Sequence, residues 1–133
     1  MNTSPRTVPT TKAEAKRFLA KAEEFLRAAQ SALRDGEATA AGLLSIHAAI
    51  SACDALTAHY LGLRSRGQRH HDMLRLLGQL PFAQKEALTR QVRRLLDDKN
   101  VVEYEDTLLF RKAASEMVEL AERVVRASRG LVK

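Results

Sequence analysis

The stretch EATAAGLLSIHAAISACDALTAHYLGL, Glu37–Leu63, decides the fold. Wrapped on a helix it is apolar almost all round. Leu43, Leu44, Ile46, Ala48, Ala49, Ile50, Ala52, Cys53, Ala55 and Leu56 leave no fully polar face. A helix of that kind is enclosed by other helices or sandwiched at an interface. Ala41, Gly42, Ser45, Ala48, Ala49, Ala52 and Ala55 are small enough to let neighbours approach closely. Gly62 and the run from Arg64 to Gly67 end the element.

The segments on either side supply the cover. Thr11 and Glu14 form a capping box, so a helix is predicted from there to about Arg34. Its apolar stripe is Phe18, Ala22, Phe25, Ala29 and Leu33, with Lys12, Lys16, Glu23, Glu24 and Arg27 largely off it. Asp35 and Gly36 stop it. Downstream, a short helix fits Asp72 to Leu77, closed by Gly78. A fourth follows Pro81, from Phe82 to about Asp98, with Leu88, Val92, Leu95 and Leu96 as its stripe. A last helix fits Leu108 to Arg126, with Ala113, Met117, Leu120, Ala121 and Val124 inward. No strand pattern of useful length and no internal repeat is visible. The predicted fold is all-α, an antiparallel four- to five-helix up-and-down bundle with the short helix across one end. Residues 1–10, with Pro5 and Pro9 among Ser and Thr, read as a disordered lead. Residues 11–129 read as a single helical domain and 130–133 as a tail.

Composition bounds the function. At 133 residues the chain has the size of one domain. Hydrophobic residues make up 45%, enough for a core, but aromatics only 5%, so Leu, Ala and Val must build it. Six Gly and three Pro are too few for a strand-and-turn architecture. Cys53 is the one cysteine, which excludes an internal disulfide and a four-Cys zinc site and fits a reducing, cytoplasmic setting. No run of 18 apolar residues exists, so no membrane partner is expected. Residues 1–11 lack the apolar core of an export signal. The charge of +6 permits RNA, DNA or an acidic protein without choosing among them.

Several clusters carry chemistry. His47, Ser51 and Asp54 share a helix face at i, i+4 and i+7, but a straight helix supplies no oxyanion hole. They read as a polar seam in the bundle or in a dimer interface. His59, His70 and His71 lack zinc-ligand spacing and read as solvated loop histidines, so no metal or other cofactor is expected. Arg64, Arg66, Arg69, His70, His71 and Arg75 make one basic cluster, and Arg90, Arg93 and Arg94 another. Either can meet phosphates, though no aromatic platform accompanies them. The acidic run Asp97, Asp98, Glu103, Glu105, Asp106 lacks the pattern of a calcium loop. Within it lies the most informative segment, Leu95 to Thr107. A chain reversal at a helix end there would bring Lys99, Asn100, Glu103 and Tyr104 together, an arrangement able to hold a phosphate. Without that role Lys99 complements the helix dipole and Tyr104 packs with its hydroxyl wet.

On these residues the chain resembles the HEPN domains, small all-helical prokaryotic proteins. The likeness runs through His47 to Gly62, Arg64 to Gly67 with His70 and His71, Lys99 and Asn100 with Glu103 and Tyr104, and Ala113 with Ala121 to Val125. The resemblance implies a helical bundle that pairs as a homodimer. Many such proteins are metal-independent ribonucleases of toxin–antitoxin or antiviral systems, in which an Arg, a polar residue and a following His meet across the dimer cleft. There the RNA 2′-hydroxyl attacks while His and Arg manage protons and phosphate charge. On this sequence the Arg position falls on Lys99, the polar one on Asn100 and the His on Tyr104. Lys keeps the charge but loses the bidentate fork. Tyr, with a reference pKa of about 10, is a poor proton shuttle near neutrality. Arg66 to His71 satisfies an Arg-to-His spacing too, but lies after the second helix and is read as a chance match.

The expectation is therefore a homodimer with a degenerate ribonuclease motif, leaning away from catalysis. It would bind RNA, a nucleotide or a partner protein in a toxin–antitoxin or defence context. Lys99, Asn100, Glu103 and Tyr104 would line the cleft, with Arg64, Arg66, Arg69, His70 and His71 as a basic rim. A cognate antitoxin or nucleotidyltransferase is the expected partner. An active endoribonuclease using Lys99, Asn100 and Tyr104, and a non-catalytic interaction module, are the alternatives.

Overall fold

The computed structural model describes residues 6–66 and 70–133. In chain order the elements are β1 (Thr7–Pro9), α1 (Lys12–Arg34), α2 (Ala38–Leu61), β2 (Leu63–Ser65), α3 (His70–Leu77), α4 (Lys85–Asp97), α5 (Lys99–Tyr104) and α6 (Arg111–Leu131). The molecule is an all-α bundle with one small ribbon.

Local chemistry fixes the α1–α2 hairpin. Thr11 Oγ1 accepts from the Glu14 backbone N–H at 3.1 Å, and the Glu14 carboxylate accepts from the Thr11 hydroxyl at 3.2 Å. At the other end Gly36 takes φ +79°, a conformation costly for a side-chain-bearing residue. This lets the Glu37 N–H donate to Ala32 O at 2.9 Å and the Gly36 N–H to Leu33 O at 3.2 Å, closing two orphan carbonyls. The chain reverses and α2 runs back along α1.

α2 is the hub, touching α1, α3, α4, α5 and α6. Ala48, Ala49, Ala52, Ala55 and Leu56 are fully buried, and the Ser45 hydroxyl is satisfied by Ala41 O at 2.8 Å. By length and composition α2 could cross a membrane, with a mean hydropathy of 1.4, but 61% of that window is buried by its neighbours. Gly42 makes room for Leu109 and Met117, because a Cβ there would collide with the Leu109 side chain.

The ends depart from the sequence reading. Thr7–Pro9 are not a disordered lead: they pair antiparallel with Leu63–Ser65, Thr7 opposite Ser65 and Pro9 opposite Leu63. The hairpin puts the start of α1 beside the end of α2, so the segment entering one lies against the segment leaving the other. Residues 1–5 lie outside the described residues. Nor is 130–133 wholly a tail. α6 runs on to Leu131 and Val132 is buried, because the Tyr60 hydroxyl donates to Leu131 O at 2.6 Å and holds that end on α2. α6 begins three residues later than predicted. Thr39 Oγ1 accepts the Leu109 N–H at 3.0 Å, and this bond keeps the segment extended. α3 starts earlier, at His70, and α4 later, at Lys85.

The tight fit around α2 has a measurable cost for enlargement. Ala52→Leu is expected to lower stability by roughly 1–3 kcal/mol, read from urea denaturation. An unchanged midpoint would mean that α2 is not sealed by its neighbours.

Candidate functional site

The segment singled out in the sequence is not a chain reversal. Asp98 stays helical (φ −89°, ψ −4°), and α5 adds one short turn beyond α4. Buried Val102 anchors that turn on α2. The chain leaves helical geometry only at Glu105 (φ −96°, ψ 163°).

Helical spacing, rather than a reversal, brings the site residues together. Lys99 and Glu103 stand at i and i+4, and Nζ meets Oε2 at 2.6 Å. The Lys99 side chain is only 12% exposed and that of Glu103 27%. Nζ also lies 5.6 Å from the centre of the Tyr104 ring, in cation–π range. The ammonium is thus held by its own carboxylate and its own aromatic ring. The hydrogen bond from Lys99 keeps the Glu103 carboxyl below its usual range, so Glu103 is ionised at neutral pH. Asn100 and Tyr104 are exposed.

Two histidines join this group. His70, the first residue of α3, lies in the field of Lys99, Asp97 and Glu103. Burial first and the Lys99 charge second lower its pKa, so it is neutral at physiological pH. The sequence reading places it in a solvated loop, but it opens α3, within the field of the α5 charges. His47, on α2, contributes to the field at Glu103, and its ring lies 5.7 Å from that of Phe25. The sequence reading assigns His47 to a polar seam, and no spacing in the sequence signals its proximity to Glu103.

The basic rim is only partly assembled. Arg64 sits in β2, its guanidinium 5.6 Å from the Phe18 ring centre, and its charge acts on Asp54. Arg66 is exposed beside the ribbon, its N–H on Arg6 O at 3.0 Å. His71 is exposed, and Arg69 lies outside the described residues. Among the described residues no three His, Cys, Asp or Glu side chains converge as a metal site would require.

Asp54 continues the open side of α2. Its Oδ1 is buried and lacks a hydrogen-bond partner among the described residues, so the His47, Ser51 and Asp54 seam has no bonded triad through that atom. Burial raises its pKa from 3.8 to about 7, and Arg64 and then Lys21 pull it back only in part. The neighbouring Cys53 thiol is fully buried and pushed far up by that burial, then by Asp54, so it stays protonated. From about pH 4 to about pH 7 the folded chain keeps a proton on Asp54 that the unfolded chain has released. Stability attributable to this group therefore falls as pH rises through that window and is level above it. Asp54→Asn is expected to flatten the dependence and to exceed the parent at pH 8 by roughly 1–3 kcal/mol in urea denaturation. An equal pH slope in both proteins would remove Asp54 as its source.

The HEPN domain family model matches residues 15–131. No curated protein matches the chain significantly. The matched span runs from Ala15 in α1 to the last residue of α6, and takes in the α2 hub and the α5 pair, so the chain belongs to the HEPN domain family.

Proposed function

We propose that this HEPN protein is a homodimer that binds RNA without cleaving it, in a toxin–antitoxin or defence setting in the cytoplasm. The observation that carries the reading is the Lys99–Glu103 contact at 2.6 Å. Where a ribonuclease of this kind presents a free Arg fork, this chain has an ammonium already neutralised by a neighbour. An arriving phosphate must displace or share Glu103, which weakens its hold and does not polarise it. Tyr104 has no imidazole to accept the 2′-hydroxyl proton near pH 7. His70, neutral and in the field of Lys99, is one replacement acceptor, but it stands on a separate helix. The charge of +6 supports a polyanionic ligand.

Anisotropy with short RNAs tests this. Lys99→Ala with Tyr104→Phe is expected to weaken binding about tenfold, the loss of one charge-assisted contact. Glu103→Gln is expected to tighten it, by releasing Lys99. Parent-like affinity in the double variant would reject the cleft. Cleavage in EDTA by the parent, abolished by the same substitutions, would favour the active ribonuclease instead.

A second reading, a protein-interaction module, is favoured by one specific feature. Leu108 is 77% exposed, Phe110 84% and Tyr104 68%, beside acidic Glu105 and Asp106. Bulky apolar groups left so open usually mark a contact surface. Light scattering is expected to give about twice 14.8 kDa for the parent, and the monomer mass for Leu108→Ser with Phe110→Ser. A parent monomer would reject the homodimer and leave the patch to another partner.

A further inference from the structure

On the α1–α6 face lies a cleft of about 250 Å3 that the α5 site does not use. Its walls are Glu23, Leu26, Arg27 and Gln30 from α1, and Glu122, Arg126 and Arg129 from α6. On α1 these positions recur at i, i+3, i+4 and i+7, and on α6 at i, i+4 and i+7, so each helix presents one stripe to the cleft.

The pairing inside it is crossed. Helical spacing offers Glu23 to Arg27 and Glu122 to Arg126, each four residues apart. Both carboxylates are engaged across the cleft instead. Glu23 Oε1 accepts from Arg129 Nε at 2.5 Å, and Glu122 Oε1 accepts from Gln30 Nε2 at 3.1 Å. Arg27 and Arg126, one on each wall, are left with no ion pair among the described residues. Leu26, nearly buried, gives the cleft an apolar wall.

We propose that this cleft is a phosphate seat, with Arg27 and Arg126 as its two forks. Each guanidinium can engage a pair of oxygens, and a tetrahedral phosphate offers oxygens in two directions, whereas a carboxylate offers one pair in one plane. Three arginines face two glutamates, so the cleft favours an anion. Its volume sits just below the range of drug-sized pockets, which suits a phosphate or pyrophosphate group more than a whole large ligand. The group can belong to a small phosphorylated molecule or to an RNA backbone, and the two sources are separable.

Calorimetric titration of the full chain with inorganic pyrophosphate and with a short RNA tests the seat. Arg27→Gln and Arg126→Gln are each expected to weaken pyrophosphate binding about tenfold, while Arg123→Gln, on α6 but outside the cleft, leaves it unchanged. Retained parent-like melting in the variants keeps a folding defect apart from lost binding. If RNA binding falls with the same two substitutions, the phosphate is the backbone's; if only pyrophosphate binding falls, it is a small molecule's. No pyrophosphate binding by the parent, or an equal loss in Arg123→Gln, overturns the proposal. Neither result bears on Lys99 or Tyr104, so the α5 reading stands or falls separately.

Discussion

A long helix without a polar face is stable in water only when other helices cover it, and α2 imposes that condition on the rest of the chain. Its alanines let α1 and α6 come close, and the closeness replaces the bulk that a core poor in aromatics lacks. α1 covers one side through a turn set by Gly36. α6 covers another and is held at its far end by Tyr60. α4, α5 and α3 close most of what remains. The side least enclosed carries His47, Ile50 and Asp54, which are only half-buried. The polar chemistry of the molecule gathers there because that is where α2 still meets solvent.

This arrangement explains why the α5 site is quiet electrostatically although the chain is basic. Lys99 is nearly enclosed, and a nearly enclosed ammonium needs a counter-charge. Glu103 supplies it from one helical turn away. The same contact that makes α5 a stable turn also holds the Lys99 ammonium against a carboxylate.

Much of the fold was legible because its signals are local. The Thr11 cap and the Gly36 stop gave both ends of α1, and the apolar run gave α2. The ribbon was not legible. Two three-residue strands carry no periodicity, and they exist only because the hairpin sets their chains side by side. α5 escaped for a related reason, since a six-residue helix is held by Val102 on α2 and not by its own propensity. The start of α6 was misread because Leu108, Leu109 and Phe110 look like helix residues, whereas Leu109 is pinned in extended form by Thr39. At the site, Lys99, Glu103 and Tyr104 were legible as a group, but through an expected chain reversal, whereas one turn of helix is what brings them together. His47 was not, because its nearness to Glu103 comes from the packing of α5 on α2, far away in sequence.

The Tyr60–Leu131 bond and the Thr7–Pro9 ribbon have a shared geometric result. They draw Thr7–Pro9 and Leu131 to the pole where α2 finishes. The bonds from the Leu109 N–H to Thr39 Oγ1 and from Arg111 to Leu33 O place Leu108 and Phe110 at the opposite pole. A tether fused after Val132 would therefore leave from the far side of the body from the exposed leucine and phenylalanine, and that apolar tip would stay unobstructed.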